Sequence, residues 1–368
     1  MNGPRRALLE RTVALGAALS LPAITRAQSR APRLGFSPQP GEWRTFEVTL
    51  SAEVRVPEGA TRLWLPVPSV NNDWQQSLET VYTGNGRAAM LGDRVYGAKM
   101  LRVEFPANGP DPKVEMTTRV RTRNRAHDWS GHGAAAEDAA TLAFWTRPTA
   151  LLPTDGIVRK TALSATRGAR TDVGKARAVY DWVVANTFRE PKVRGCGEGD
   201  IKTMLETGNL GGKCADLNAL FVGLCRSVGI PARDVYGLRL APSAFGYREL
   251  SGNPASLKGA QHCRAEVYLT GHGWVAMDPA DVAKVMRLET PEWIRDLKHP
   301  VVAPVSKALF GGWEGNWLAY NFAHDVALPG SRGPRLGFLM YPVGEDETGR
   351  FDSYAPDEFR YAISAREV

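Results

Sequence analysis

From Phe46 to Val56 the even positions hold Phe, Val, Leu, Ala, Val and Val, while the odd positions hold Glu, Thr, Ser, Glu and Arg. Successive Cβ atoms of an extended chain point to opposite sides of a sheet, so this alternation puts every apolar side chain on one face. Such a strand is stable only when that face lies on a second apolar layer. Strand-like segments follow at Arg62–Pro66, Leu101–Phe105 and Lys113–Arg123, separated by stretches rich in Pro, Gly and Asn that read as turns. Residues 40–125 therefore predict an all-β sandwich. Arg119, Arg121 and Arg123 alternate onto one face of the last segment, where a solvated sheet face accounts for them.

The period changes after Pro148. In "TDVGKARAVYDWVVANTF" the apolar residues Ala176, Val179, Tyr180, Val183 and Val184 recur at three and four, with Thr171 or Asp172 as an N-cap, which predicts a helix. A second stripe, Leu217, Leu220, Phe221, Leu224 and Val228, is closed by Gly229 and Pro231. "RDVYGLRL", "HCRAEVYL" and "WVAMD" then read as strands, with a long loop over 241–259 and a "TGHG" turn between the last two. Helices followed by an antiparallel sheet make an α+β core. The tail opens with a Thr-Pro-Glu helix start at Thr290 and continues with aromatic, strand-like segments "WEGNWLAYN" and "GFLMYP". The expected layout is a sandwich over 28–140, a core over 141–289 and an extension over 290–368 that packs back on the core.

The first residues, "MNGPRRALLERTVALGAALSLPAITRAQS", combine Arg5 and Arg6, an apolar run from Val13 to Ile24 and small residues before a cut after Ala27. The arginine pair followed by Leu8 and Leu9 resembles a bacterial twin-arginine export signal, although Pro4 and Glu10 depart from its usual flanks. The run is shorter than the roughly 20 residues of a membrane span and contains Pro22, so a cleaved signal peptide over 1–27 is expected. The mature chain is then periplasmic or secreted, without stable membrane insertion. Losing residues 1–27 removes four arginines and Glu10 and lowers the net charge from +7 to +4. That modest basicity, with no nucleic-acid-binding motif, gives no reason to expect a nucleic-acid partner.

Four cysteines, Cys196, Cys214, Cys225 and Cys263, are too few and scattered for a disulfide framework, so at least one is expected to serve chemistry as a thiol. Cys214 and Cys225 lie roughly 16 Å apart along one helix and cannot bridge each other. A pair between Cys196 and Cys214 stays open. Cys214 stands at the first turn of its helix, where unpaired N–H groups and the dipole favour a thiolate and can also receive a developing oxyanion. The Gly211-Gly212 pair allows close approach of backbone and substrate. His262 opens one strand and Asp278 closes the next. With a three-residue turn over Thr270–His272, Asp278 faces Arg264 and points to the same side as His262, within reach of a hydrogen bond. Asp216 and Asp281 read as capping or supporting groups, Asp281 being the reserve carboxylate. His272 reads as a solvated turn residue, Cys263 as a buried structural thiol, and Trp274 as either a shield of the site or a core aromatic.

The order Cys, His, Asp in "GGKCADLNALFVGLCRSVGIPAR", "QHCRAEVYL" and "GHGWVAMDPADV" resembles the transglutaminase-like superfamily, a relative of the papain-like thiol proteases. The resemblance spans roughly Val173–Val282. It implies a papain-like, transglutaminase-like α+β core, with Cys214 as nucleophile, His262 as general base and Asp278 as orienting carboxylate. It also implies a thioester formed from a peptide or protein amide and resolved by water or by an amine, hydrolysis being favoured because no amine-acceptor pocket is legible. Animal transglutaminases place a Trp before the cysteine helix as an oxyanion donor, whereas this chain has no Trp between 183 and 273. The Cys214 N–H and a group near Gly195–Gly199 are expected instead. No calcium site is recognisable, so neither a metal nor another cofactor is expected. Two other readings are an idle binding or scaffold protein of the same fold and a redox protein using Cys196 and Cys214, the latter without a Cys-x-x-Cys motif.

Overall fold

Strand β1 (Arg44–Val54) has the alternation of buried and half-buried residues that its sequence requires, and it lies at the centre of a sheet. A computed structural model describes residues 35–368 except 56, 132 and 356–358, so the signal-peptide reading of 1–27 lies outside the described residues. β1 pairs antiparallel with β6 (Lys113–Thr122) on one side and β18 (Phe359–Glu367) on the other, and β3 (Gln75–Gly84) follows β6. A second sheet runs β17 (Val343–Glu345), β2 (Thr61–Val67), β5 (Lys99–Phe105), β4 (Arg87–Gly92). Phe46, Val48 and Leu50 of the first sheet share one apolar cluster with Leu63, Leu65 and Val103 of the second, as two sheets of a sandwich do.

The core sheet has the order β12 (Gly273–Met277), β11 (Gln261–Leu269), β10 (Ala232–Arg239), β14 (Trp317–Asn321), all antiparallel. Helix α5 (Cys214–Ser227) packs against β10 and β11, and all 14 of its residues are buried. Around it stand α2 (Gly156–Ala165), α3 (Asp172–Asn186), α4 (Ile201–Thr207) and α6 (Pro279–Leu288), with the short α1 (Ala139–Phe144) leading in from the sandwich. Thr171 caps α3 as expected, its hydroxyl accepting from Gly174 N at 3.0 Å. Short pairs complete the set: β7 (Arg125–Ala126) with β13 (Gly312–Trp313), β8 (Phe188–Arg189) parallel to β9 (Gly211–Gly212), and β15 (His324–Val326) with β16 (Leu336–Phe338). The fold is α+β, helices on an antiparallel sheet beside an all-β region.

The tail departs from a simple extension. It supplies β14 to the core sheet and then β17 and β18 to the two sheets of the sandwich. The helix expected from Thr290 does not form. Ile294 N is instead drawn to Met286 O at 2.8 Å at the end of α6, and Pro300 disfavours helix before it, so the helix comes later as α7 (Ala303–Ala308). Phe359 is fully buried in the sandwich core and its neighbour Arg360 is exposed. Phe359→Ala is expected to cost about 3–5 kcal/mol and Arg360→Ala about 0.5 kcal/mol or less, read as the shift in urea unfolding midpoint.

Candidate active site

The approach to α5 is built from glycine and one carboxylate. At Gly212 a Cβ would stand 2.6 Å from Asp216 Cβ, and at Gly197, whose φ is 89°, it would stand 1.8 Å from Asp216 Oδ2. Only glycine fits at either place. Asp216 Oδ2 accepts from Lys213 N at 2.9 Å, satisfying the N-cap N–H, and Oδ1 accepts from Glu198 N and Gly199 N, each at 2.9 Å. Cys196 O accepts from Ala215 N at 2.9 Å. The loop 195–199 is thereby fastened over the helix start. Within the stretch 195–199 expected to supply an oxyanion donor, the Glu198 and Gly199 N–H groups are spent on Asp216 and the Gly197 N–H on Arg194 O at 3.1 Å.

Cys214 is 3% exposed and lies against two other sulfurs. All four cysteines are free thiols. Tyr341 donates its hydroxyl to Cys196 Sγ at 3.0 Å, and Cys196 in turn donates to Gln261 O at 3.4 Å. Cys263 is buried as expected, yet it faces Cys196 and Cys214 as well as Met340 Sδ, 3.9 Å away. Cys225, eleven residues along the helix, is fully buried, and burial raises its thiol pKa.

His262 and Asp278 come together as the three-residue turn requires, since β11 and β12 pair through Leu269 and Gly273 and leave Thr270–His272 as the connection. His262 Nε2 donates to Asp278 Oδ2 at 2.8 Å and lies 3.3 Å from Asp281 Oδ2. Asp278 is the N-cap of α6, with Pro279 at its first position, and its Oδ1 accepts from Asp281 N at 3.1 Å and from Asn218 Nδ2 at 3.2 Å. Arg239 Nη2 donates to both Asp281 oxygens at 2.6 Å, and Arg264 Nε lies 3.5 Å from Asp278. Asp281 is thus a second carboxylate on the imidazole rather than a reserve. The histidine and two acids present three donor atoms within 4.8 Å, a spacing a metal ion can use. Two buried guanidiniums already supply the positive charge there, which makes the group an ion-pair cluster.

These neighbours set the protonation states. Burial alone would depress the His262 pKa, but Asp281 and Asp278 outweigh burial and the repulsion of Arg239 and carry it up to about 9. Burial opposes ionisation of Asp281 too, yet Arg239 and then His262 hold its pKa well below the ordinary carboxylate value. The Cys214 pKa lies well below the ordinary thiol value, through contact with the Cys196 and Cys263 thiols first and then His262, against burial. Cys263 moves the other way, pushed up by burial and by its two sulfur neighbours. Of the three, Cys214 ionises first.

Several participants escaped the sequence reading. Asn218 follows Cys214 by one helical turn, and a polar residue on that otherwise apolar stripe was the available signal. Arg239, Gln261 and Tyr341 carried none, because nothing local marks a buried arginine or glutamine as a partner for a distant acid or thiol. Gln261 Nε2 is buried and has no hydrogen-bond partner among the described residues. Trp274 turns out to lie toward the far end of its hairpin, opposite Tyr268, under the Arg233 guanidinium at 3.9 Å and donating to Glu137 at 3.0 Å. His272 is half-buried rather than solvated, its Nδ1 2.9 Å from His127 Nε2.

Residues 159–279, which contain Cys214, His262 and Asp278, match a family model described as the transglutaminase-like superfamily. An uncharacterized protein of Haemophilus influenzae is 34% identical over 343 residues, spanning 88% of this chain and 91% of its own. Among solved structures, a candidate cysteine protease from Cytophaga hutchinsonii is similar with a TM-score of 0.50 at 17% identity, covering 89% of this chain and 99% of that one. The periplasmic domain of TgpA from Pseudomonas aeruginosa is similar with a TM-score of 0.39 at 17% identity, over 70% of this chain and 93% of that one.

The ionisation states make a pH prediction. Below its own pKa Cys214 is a thiol and inert; above that, and up to about 9, a thiolate faces a protonated His262. Alkylation of Cys214 should therefore show a midpoint well below the ordinary value of about 8.5. Removing the cation in His262→Ala should move that midpoint upward, and iodoacetamide labelling with peptide mass mapping across pH reads both.

Proposed function

The chain belongs to the transglutaminase-like superfamily, and from that premise we propose that it is an exported thiol enzyme cleaving a peptide or protein amide through a thioester on Cys214. The observation that carries this reading is the buried set of Cys214 at a helix start, His262 beside it, and two carboxylates on the far nitrogen of the imidazole. His262 Nε2 is committed to Asp278 and Asp281, so proton exchange with the thiol falls to Nδ1.

In the first half-reaction the Cys214 thiolate adds to the amide carbonyl carbon and the carbonyl oxygen becomes an oxyanion. We assign its stabilisation to the Cys214 N–H, at the positive end of α5, and to the unspent Nε2 of Gln261. Collapse breaks the C–N bond, the amine leaves with the proton held on His262, and an acyl thioester remains. In the second half-reaction neutral His262 takes a proton from water, the resulting hydroxide adds to the thioester, and the acid is released as the Cys214 thiolate re-forms beside imidazolium. Hydrolysis is favoured over transfer to an amine, for water reaches any site that a peptide reaches. The sandwich, core and tail extension would then act as support, catalytic body and cover, in a periplasmic or secreted protein. Among the described residues no helix is long and apolar enough to cross a membrane.

The test is turnover of a peptide library followed by mass spectrometry. Cys214→Ala and His262→Ala should each lower kcat/KM by on the order of 10⁴-fold or more, with products heavier by one water in total. Full turnover by Cys214→Ala would sink the mechanism. Tight peptide binding with no turnover by the wild type would point to an idle binding protein of the same fold.

A further inference from the structure

A cleft of about 630 Å³ opens beside the loop that covers Cys214, and most of its far wall comes from the tail, outside the stretch that matches the family model. It reaches the residues that cover the thiol, although Cys214 itself does not line it. Gly197, next to Cys196, lines it; so does Tyr341, whose hydroxyl rests on Cys196 Sγ; and Cys196 O is bonded to the N–H immediately after Cys214. Two hollows of similar volume, about 720 Å³ over β1 and β6 and about 730 Å³ beside Trp129 and Phe310, have no such link to the thiol.

Its walls are aromatic and aliphatic. Leu336, Phe338, Tyr341, Phe351 and Tyr354 line it, most of them half-exposed. They are also held in place: Phe338 is stacked on Tyr236 with centroids 4.9 Å apart and planes at 14°, and Tyr354 meets Tyr341 edge-on at 4.9 Å and 87°. Rigid apolar walls of this kind suit a large apolar side chain. Arg335 and Glu198 also line the cleft, and Asp352 is paired with Arg194, so neither sign of charge dominates.

The backbone adds a second criterion. Leu336, Gly337 and Phe338 are three consecutive residues of β16 and all of them line the cleft. Leu336 and Phe338 share one face of the strand, and on the other a Cβ at Gly337 would stand 2.8 Å from Leu151 Cδ1, which also lines the cleft, so the edge of the strand is turned toward it. β16 pairs only with β15 among the described strands, which leaves that edge open to an added strand.

We propose that this cleft is the recognition subsite of the Cys214 site, and that it takes an extended peptide along the edge of β16 with a large apolar or aromatic side chain seated between Phe338 and Tyr354, beside the amide to be cleaved. The inference rests on the reading of Cys214 as nucleophile, and the experiment separates the two. The full chain is treated with iodoacetamide, with an acetyl-phenylalanyl chloromethyl ketone and with the acetyl-glycyl analogue, and Cys214 modification is followed by mass spectrometry. The phenylalanyl reagent should react on the order of tenfold faster than the glycyl one, and Phe338→Ala should bring that ratio near one. Unfolding of the variant would also level the ratio by exposing Cys214 to both ketones, so its circular dichroism and its iodoacetamide rate must match those of the wild type; Leu336→Ala is the second variant should Phe338→Ala fail to fold. Equal rates for the two ketones, with brisk iodoacetamide labelling, would overturn the subsite and leave the nucleophile standing. A Cys214 inert to all three reagents would overturn both.

Discussion

Helix α5 has no exposed face, and a buried helix start must satisfy its N–H groups within the protein. Asp216 and the loop 195–199 meet that demand, and in doing so they bring Cys196 and its flanking glycines over Cys214. The same constraint explains why glycine is required at 197 and 212, where a side chain would occupy the space of the Asp216 carboxylate. A helix end that water could solvate would need none of this, and it would hold the thiol in no fixed place. Burial of α5 therefore comes first, and the site is largely the manner in which that burial is made affordable.

The second consequence of burial is electrostatic. Asp278, Asp281, Arg239 and Arg264 are all buried within reach of His262. Two carboxylates and two guanidiniums balance, so a protonated His262 adds one positive charge with no partner unless Cys214 gives up its proton. Isolated charges cost several kcal/mol each when removed from water, so the cluster favours the doubly ionised thiolate and imidazolium, or both groups neutral, over either one charged alone. The depressed Cys214 pKa and the raised His262 pKa express that coupling. Arg239 contributes through Asp281 rather than by touching the imidazole, which makes it a positioning residue for the pair.

What was legible in the sequence was whatever repeats or has a local grammar. The alternation of β1, the stripes of α3 and α5, and the three-residue turn that aligns His262 with Asp278 all follow from spacing along the chain. β3 and β4 were not visible because most of their residues face solvent and no apolar period marks them. Asp278-Pro279 reads as the end of a strand, although Asp before Pro is also the start signal of a helix, and that helix is what delivers Asp281 to the imidazole. The partners of the acids, Arg239 and Arg264, come from neighbouring strands, and their pairing is a property of the sheet register rather than of any window of sequence.

The placing of the tail links the sandwich to the site. β16 and Tyr341 form part of the cleft, and two residues after Tyr341 the chain enters β17, paired with β2; it later returns as β18, paired with β1. The cleft wall is thus tied to both sheets of the sandwich on its C-terminal side. Tyr354 and Phe351, in the connection between those strands, are held from both ends, and Gly195 must be glycine because a Cβ there would stand 2.2 Å from the Tyr354 ring. A wall fixed in this way can select a side chain by shape, since an aromatic residue that yielded to any occupant would discriminate poorly. If the cleft receives substrate as proposed, the sandwich bears on specificity without touching the substrate: loosening its edge strands should blur the choice between large and small side chains before it impairs the thiol chemistry at Cys214.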